Sequence, residues 1–304
     1  MKSLGVIGEC MLELRADGEN YRLGYGGDVF NTAVYATRLG LETRFFSATG
    51  DDHYSAYLLN AWAGEGVDTN HVRQLSGMKP SLYIIAIDSQ GERSFQYWRE
   101  ASPFRHWLQS GQYRDDLFEK LRDCDCLYFS SITLALLPDA DKTHLLELLK
   151  RFRAQGGTIG FDPNYRAGLW PSADIAASWV DEAYQICDYA MPSADDEALL
   201  RASTESHDPI THIEAMGAQE VVLKRGAEGV TLALPTGTER VAATTVPAIA
   251  DTTAAGDAFN AGYLYRRLQG ADPADAAALA VRVAATVIQH SGAIIPADIP
   301  LVDP

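Results

Sequence analysis

The sequence predicts an α/β fold in which helices flank both faces of a mostly parallel sheet, with a small hairpin region that projects from it. Short apolar runs alternate with amphipathic stretches over much of the chain, and residues 82–99 show a separate period-two alternation. The first pattern is typical of parallel strands joined by crossover helices. Residues 1–304 are expected to form one domain, because no linker or low-complexity tract interrupts them.

The chain begins with an apolar run at residues 4–7, which Glu9 ends. A run this short predicts a first strand and not a signal peptide or a membrane helix. Alternation at residues 11–15 predicts an extended segment with one covered face.

A glycine-rich stretch comes next, in which Gly26 and Gly27 precede Asp28. We expect Asp28 to cap a helix that ends at Gly40. Glycines beside Asp28 and Asn31 suit a polyhydroxylated ligand, because the two side chains offer hydrogen bonds one helical turn apart. The third glycine of a dinucleotide fingerprint is missing, which disfavours a nicotinamide-dependent oxidoreductase.

Residues 82–99 predict a hairpin whose polar turn lies at residues 88–93. We expect this hairpin region to project from the core of the domain. Arg99 ends an aromatic face and forms either a rim salt bridge or a ligand contact. An apolar face with Ile85 and Ile87 beside Phe95 would be exposed unless a second subunit covers it, so we expect a homo-oligomer through this region.

Four further apolar runs predict parallel strands, at residues 126–129, 158–161, 189–191 and 220–223. Ligands bind at the carboxyl ends of such strands. The polar and glycine residues directly after them are therefore candidate site residues: Asp162, Asn164, Arg166, Ser193, Asp196, Lys224, Gly226 and Gly229. A hairpin at residues 230–242 and a final helix capped by Asp272 complete the predicted elements.

Residues 251–263 predict an anion site at the start of a helix. Small residues from Thr252 to Gly256 leave several backbone N–H groups free to point at one place. Asp257, in the first helical turn, could accept a proton from a hydroxyl that attacks a phosphate. The pattern indicates phosphoryl transfer, with an ordinary capped helix start as the alternative.

Composition excludes other classes of function. The formal net charge is −16 and no basic stripe is present, which argues against nucleic acid as a partner. No apolar run is long enough for a membrane helix, so we expect a cytoplasmic protein without a membrane partner. The four cysteines are scattered and are expected to be reduced thiols.

Residues 24–40 and 251–263 resemble the two signatures of the ribokinase-like (PfkB) sugar kinases, and the resemblance spans essentially the whole chain. Within that family, the likeness is strongest to members that phosphorylate a keto-deoxy sugar acid. It is carried by residues 8–11, 91–99, 164–166, 224–227 and 292–296.

The resemblance implies a ribokinase-like fold with a small β-sheet lid, formed by about residues 9–25 and 80–100. It also implies ATP as phosphoryl donor and Mg²⁺ as cofactor. Asp257 would be the catalytic base, and the amides around Ala254, Ala255 and Gly256 would form the anion hole. The acceptor sugar acid would be held by Gly26, Gly27, Asp28, Asn31, Tyr83, Tyr97, Arg99, Asn164 and Arg166. The nucleotide would be held by Ser193, Lys224, Gly226, Gly229, Ala254 and Gly256.

Two arginines favour an acidic sugar, because a guanidinium can bind a carboxylate through two hydrogen bonds. One departure from the family concerns the metal: residues 193–196 are Ser-Ala-Asp-Asp where many members have Asn-x-x-Glu, so Asp196 would reach Mg²⁺ through water. Asp251 and the segment after Ser291 resemble the monovalent-cation site of some members. A kinase of fructose or of another deoxy sugar acid, and a non-catalytic sugar or nucleotide sensor, stay open as alternatives.

Overall fold

The structure of the protein is a computed structural model that describes residues 2–87, 93–109, 111–202 and 208–302. In chain order the strands are β1 (Ser3–Ile7), β2 (Met11–Asp17), β3 (Asn20–Gly26), β4 (Glu42–Thr49), β5 (Val72–Gln74), β6 (Leu82–Ile87), β7 (Arg93–Trp98), β8 (Cys126–Ser130), β9 (Thr158–Asp162), β10 (Tyr189–Ala190), β11 (Glu220–Lys224), β12 (Val230–Leu234) and β13 (Gly237–Val241). The α-helices are α1 (Asp28–Leu39), α2 (His53–Gly64), α3 (Gly111–Leu121), α4 (Ser131–Leu136), α5 (Asp139–Ala154), α6 (Ala173–Tyr184), α7 (Ala194–Leu200), α8 (Pro209–Met216), α9 (Ala255–Leu268) and α10 (Pro273–Val287).

Within the described residues the larger sheet has nine strands in the order β13-β12-β11-β10-β9-β8-β1-β4-β5. The strands from β11 to β5 run parallel, and β12 and β13 add an antiparallel edge. Every residue of β8 is buried, as expected for a parallel strand covered on both faces. One apolar cluster packs α1, α9 and α10 against the sheet, and another packs α3, α5 and α6 against it. The predicted α/β class is confirmed.

The smaller sheet, which we call the lid sheet, has the order β3-β2-β6-β7. Strand β2 pairs antiparallel with β3 and parallel with β6, and β6 pairs antiparallel with β7. Its strands lie in the two predicted regions. The predicted turn falls mainly on residues 88–92, which lie outside the described residues.

The expected exposure of Ile85 was wrong, because its side chain is 4% exposed and packs with Met11 and Tyr83. The large apolar side chains that the lid sheet does expose belong to Tyr21, Leu23, Phe95, Tyr97 and Trp98.

Two helix starts test the capping predictions. Gly27, not Asp28, is the N-cap of α1, and Asp28 is the first helical residue. The Asp28 carboxylate instead accepts a hydrogen bond from Asn164, on the loop after β9. Gly40 ends α1 in the left-handed conformation, and Asp272 caps α10 through the Ala274 amide, both as predicted.

The four cysteines are free and buried, in line with the prediction. Among the described helices, none combines the length and the apolar character needed to cross a membrane.

Candidate active site

A cavity of about 990 Å³ lies where the parallel strands end, with the lid sheet along one side. It brings together most of the predicted site residues: Gly27, Asp28, Asn31, Tyr83, Tyr97, Arg99, Asn164, Arg166, Ser193, Asp196, Lys224, Gly226, Ala254, Ala255, Gly256 and Asp257. Segments distant in sequence therefore converge on one site. Gly26 and Gly229 are not among the residues that line it.

Both of these glycines have structural explanations. A Cβ on Gly26 would lie 2.4 Å from the Tyr83 hydroxyl, so this glycine leaves room for the tyrosine. Gly229 has φ +92°, and a Cβ there would lie 2.1 Å from the Val241 carbonyl oxygen. We infer that Gly229 permits the turn between β11 and β12 and the close approach of the chain after β13.

Helix α9 starts with a residue in the left-handed conformation. Ala254 is its N-cap with φ 61°, which turns the chain sharply before Asp257 enters the first turn. The Thr253 amide donates to Asp251 and the Ala255 amide donates to the Thr252 carbonyl. The amides of the first helical turn that follow Ala255 lack intrahelical acceptors and carry the positive end of the helix dipole. We therefore expect the strongest anion donors at Gly256, which the sequence indicated, and at Asp257.

The Asp257 carboxylate is held by Asn31, whose Nδ2 donates to Oδ2 at 2.8 Å. Thr32 Oγ1 donates to the Asp257 carbonyl at 3.2 Å, which ties α1 to α9. Burial and the negative charge of Asp28 raise the pKa of Asp257 to about 8, although the Asn31 hydrogen bond and the Lys224 charge oppose the shift. A carboxylate with a pKa near neutral is a far better proton acceptor than an ordinary one.

The acceptor side of α1 is also anchored. Asn164 Nδ2 donates to the Asp28 carboxylate at 3.0 Å, and the Asn164 amide donates to Asp162. Burial raises the pKa of Asp28. Asn164 has φ 30°, an unusual value for a residue other than glycine, and the two hydrogen bonds hold it there.

A group of polar side chains holds Lys224 near the start of α9. Its Nζ donates to Asp162 Oδ2 at 2.7 Å and to Asn260 Oδ1 at 3.1 Å. Asn260 is fully buried and also donates to Asp162 and to the Tyr128 hydroxyl. The Lys224 Nζ lies 3.6 Å from the position of a Cβ on Gly256. A cation therefore stands beside the start of α9, as the sequence position at the end of β11 suggested.

The predicted metal residue Asp196 lies in the first turn of α7 and lines the cavity. The Ser193 hydroxyl accepts from the Asp196 amide as the cap of α7, so this hydroxyl already has a structural role. Arg166 Nη1 donates to Asp196 Oδ1 at 3.3 Å, and burial raises the pKa of Asp196. No cluster of three or more metal-binding side chains occurs in the described part of the chain. A single carboxylate such as that of Asp196 suits Mg²⁺, which commonly binds one or two carboxylates together with substrate phosphates.

The lid side of the cavity contains Arg99, Tyr83 and Tyr97. Arg99 Nη2 donates to Glu9 Oε2 at 2.6 Å, and the Tyr83 hydroxyl donates to Glu13. The rings of Tyr83 and Tyr97 lie 5.9 Å apart, and the Arg99 guanidinium carbon lies 5.6 Å from the centre of the Tyr97 ring. The result is an aromatic wall with one guanidinium at its edge.

Sequence reasoning did not assign roles to Glu9 and Asn260, and it ranked Asp162 only as a strand-end residue. Asn260 is one helical turn beyond Asp257 on α9, so the 3.6-residue period could have indicated it. Asp162 ends β9, where polar residues of a parallel sheet meet. Glu9 has no comparable local signal, because its partners come from residues more than 70 positions away.

Comparisons with known proteins agree with this geometry. The model of the pfkB family carbohydrate kinases matches residues 1–300. A 2-dehydro-3-deoxygluconokinase of Escherichia coli strain K12 is 41% identical over 302 residues, with 97% of each protein covered. A fructokinase of Vibrio alginolyticus is 31% identical over 87% of this chain and 83% of its own. Among solved structures, a fructokinase of Xylella fastidiosa with bound ATP has a TM-score of 0.83 and 26% identity, with 96% of this chain and 93% of that chain covered.

Proposed function

Because the chain belongs to the pfkB family of carbohydrate kinases, we propose that it is a 2-dehydro-3-deoxygluconokinase that transfers a phosphoryl group from ATP to the 6-hydroxyl of its sugar acid. One observation favours an acidic acceptor. Arg99 is 8% exposed at the cavity wall, and its Nε–H has no hydrogen-bond partner in the described part of the chain. A buried donor of this kind requires an acceptor, and a substrate carboxylate supplies one.

Asp257 takes the proton from the attacking hydroxyl. Its carboxylate faces the cavity at the start of α9, and Asn31 fixes its orientation. As the hydroxyl oxygen attacks, the developing alkoxide would be costly, and transfer of its proton to Asp257 avoids this charge. As the hydroxyl oxygen bonds to the γ-phosphorus of ATP, the bond from that phosphorus to the β,γ-bridging oxygen breaks and ADP is the leaving group. The sugar leaves as a phosphate ester, and the proton on Asp257 returns to solvent.

The helix start and Lys224 stabilise the transferring phosphoryl group. The free first-turn amides of α9 point at the position where its oxygens gather charge, and the dipole of the helix adds to them. Lys224 contributes a full positive charge that Asp162 and Asn260 hold in place. Phosphoryl transfer depends chiefly on such positioning and charge stabilisation.

Mg²⁺ fits beside Asp196, which would hold it through water while the ion neutralises phosphate charge. Asp196 pairs with Arg166 at 3.3 Å and lines the cavity. Gly226 lines the nucleotide side without a side chain to obstruct it. A monovalent cation near Asp251 stays a prediction; that carboxylate accepts hydrogen bonds from the Thr253 and Gly292 amides.

A coupled assay of ADP release tests the function directly. We expect turnover with 2-dehydro-3-deoxygluconate, Mg²⁺ and ATP to exceed that with fructose, ribose or an epimeric deoxy sugar acid, and phosphorus NMR to place the phosphate on the 6-hydroxyl. Preference for fructose would favour the alternative that the 31% identical fructokinase represents. ATP and sugar binding without ADP release would favour a sensor.

We also propose one kinase domain over residues 1–304, a cytoplasmic location and a homo-oligomer that forms through the lid sheet. The support for the oligomer is the exposed apolar surface of that sheet, where Phe95 is 40% and Trp98 is 50% exposed. Light scattering at working concentration tests it, and a monomeric mass would contradict it.

A further inference from the structure

Glu9 occupies a junction between the core and the lid sheet. It lies two residues after β1 and two residues before β2, so the chain passes from the larger sheet to the smaller one at this point. Its side chain is 4% exposed, and its carboxylate accepts hydrogen bonds at both oxygens. A carboxylate this deeply buried needs such partners to offset its lost hydration.

The donors to Glu9 come from both ends of the β6–β7 hairpin. The Ser81 hydroxyl, one residue before β6, donates to Oε1 at 2.8 Å. Arg99, one residue after β7, donates from Nη2 to Oε2 at 2.6 Å. The Ser102 hydroxyl, three residues further on, donates to Oε1 as well. One carboxylate therefore joins the entry and the exit of the hairpin to the end of β1.

The hydrogen bond to Glu9 holds Arg99 but leaves part of its guanidinium without an acceptor. Nη2 is paired with Glu9, whereas Nε is buried and has no acceptor among the described residues. Glu9 Oε1 cannot satisfy Nε in this arrangement, because the two serine hydroxyls already donate to it. The unused donor lies on a residue that lines the cavity.

We propose that Glu9 is a positioning residue for the carboxylate of the sugar acid: it holds Arg99 and both ends of the β6–β7 hairpin so that the unpaired guanidinium edge receives that carboxylate. This inference rests on the proposed function. The Glu9–Arg99 pair is neutral before substrate binds, so the acid is recognised by the fixed geometry of the donor and not by a surplus of charge.

The test compares the sugar acid with its neutral analogue, the same sugar with a hydroxymethyl group in place of the carboxylate. Glu9→Gln keeps an acceptor for the serines but turns an amide group toward Arg99. We expect it to raise KM for the acid about 30-fold and KM for the analogue less than about threefold, with kcat for the acid within about threefold, as for one partner removed from a buried charge pair. Equal effects on the two sugars would overturn the proposal, because a purely structural role does not distinguish them.

A double-mutant cycle identifies the path of the effect. If Glu9 acts through Arg99, then Glu9→Gln added to Arg99→Ala changes KM for the acid by less than about twofold, whereas independent effects would multiply. Arg99→Lys should not restore acid binding, because an ammonium group cannot reproduce the fixed edge. A multiplied effect, or full recovery with lysine, contradicts the inference.

Glu220→Gln is the matched control. Glu220 is also a largely buried carboxylate that accepts from an arginine and a hydroxyl, Arg267 and Tyr263, but it begins β11 at the opposite end of the sheet. Glu220→Gln should leave the ratio of the KM values for the acid and the analogue unchanged.

If Glu9→Gln does not fold, Glu9→Asp serves as the second variant, because it keeps the charge but shortens the side chain. It must raise KM for the acid less than expected for Glu9→Gln and still affect the acid more than the analogue. An equal rise for both sugars contradicts the proposal. Absence of turnover with the acid in the unmodified protein would instead refute the proposed function.

Discussion

The two ends of the cavity differ in how completely the protein satisfies their polar groups. At the core end, Asp257 is held by Asn31, and Lys224 is held by Asp162 and Asn260. At the lid end, Tyr97 is 44% exposed and the Arg99 Nε has no partner among the residues described. Groups that perform chemistry are thus fixed in advance by the core, whereas groups that recognise the acceptor are left for the substrate to complete.

This comparison predicts that changes at the core end affect kcat and that changes at the lid end affect KM. The charge of the cavity lining explains why the two ends of the cavity have different roles. The cavity lining described includes seven carboxyl side chains, namely Glu9, Asp28, Glu100, Asp162, Asp195, Asp196 and Asp257, against the three cationic side chains of Arg99, Arg166 and Lys224. Two anionic substrates can bind there only because donors and cations lie at particular places.

The largest effect is expected for Asp257→Asn. The amide keeps the shape of the side chain and can still accept from Asn31, but it cannot take a proton, so kcat should fall by about 10⁴-fold. Calorimetry should show nearly unchanged binding of ATP and of the sugar acid. A variant that turns over at a near wild-type rate would refute the assignment of Asp257 as the base.

Lys224→Met should have the next largest effect, a loss of about 10²-fold in kcat with little change in KM for the sugar. The reason is removal of the positive charge that stands beside the start of α9. Lys142→Met is the matched control, because Lys142 is also a buried lysine in an ion pair but lies on α5 away from the cavity. A loss confined to KM would place Lys224 on the recognition side of the comparison.

The same division explains what the sequence could predict. The start of α9 is a continuous stretch, so its turn, its base and its anion-binding character follow from local rules. Arg99 and Tyr97 could be assigned to a hairpin because period-two alternation is also local, and the family resemblance then identified that hairpin as part of a lid. Glu9 could not be assigned, because its role depends on serines and an arginine brought together only by the fold. Asp28 was misjudged as a cap for the same reason: its partner, Asn164, is distant in sequence.

The pH dependence of kcat/KM tests the role of Asp257 at the core end of the cavity. Only ionised Asp257 can accept a proton, and its pKa is raised to about 8, so kcat/KM should fall about tenfold for each pH unit below that value. Among the charged groups that act on Asp257, Asp28 and Asp162 raise this pKa and Lys224 lowers it. Asp28→Asn should therefore move the acidic limb to lower pH. If the acidic limb of the kcat/KM profile does not move, a group other than Asp257 controls it.

The stability of the folded state should change with pH in the opposite direction to kcat/KM. The pKa of Asp257 in the fold lies above its ordinary value of 3.8, so the folded state binds the proton more tightly than the unfolded chain. The stabilising contribution of the protonated carboxyl is complete below about pH 4 and is lost as pH rises through about 8. Asp257→Asn, which carries no charge, should raise Tm relative to the wild type at pH 8 but not at pH 4. Equal Tm differences at both pH values would contradict the raised pKa.

The smallest effect is expected for Arg166→Ala, and it tests whether all cationic groups at the recognition side act alike. The Arg166 side chain is 52% exposed and makes a long ion pair of 3.3 Å with Asp196, whereas the Arg99 side chain is 9% exposed and is tightly held. Interactions of exposed charges are screened by solvent. Arg166→Ala should therefore raise KM for the sugar acid by only about fivefold, and Arg99→Ala by several times more, with the neutral analogue affected little by either. Steady-state kinetics on both sugars measures this ratio. A larger effect for Arg166 would make the exposed arginine the principal carboxylate contact, and the distinction between a fixed and an adaptable end of the cavity would then fail at its recognition side.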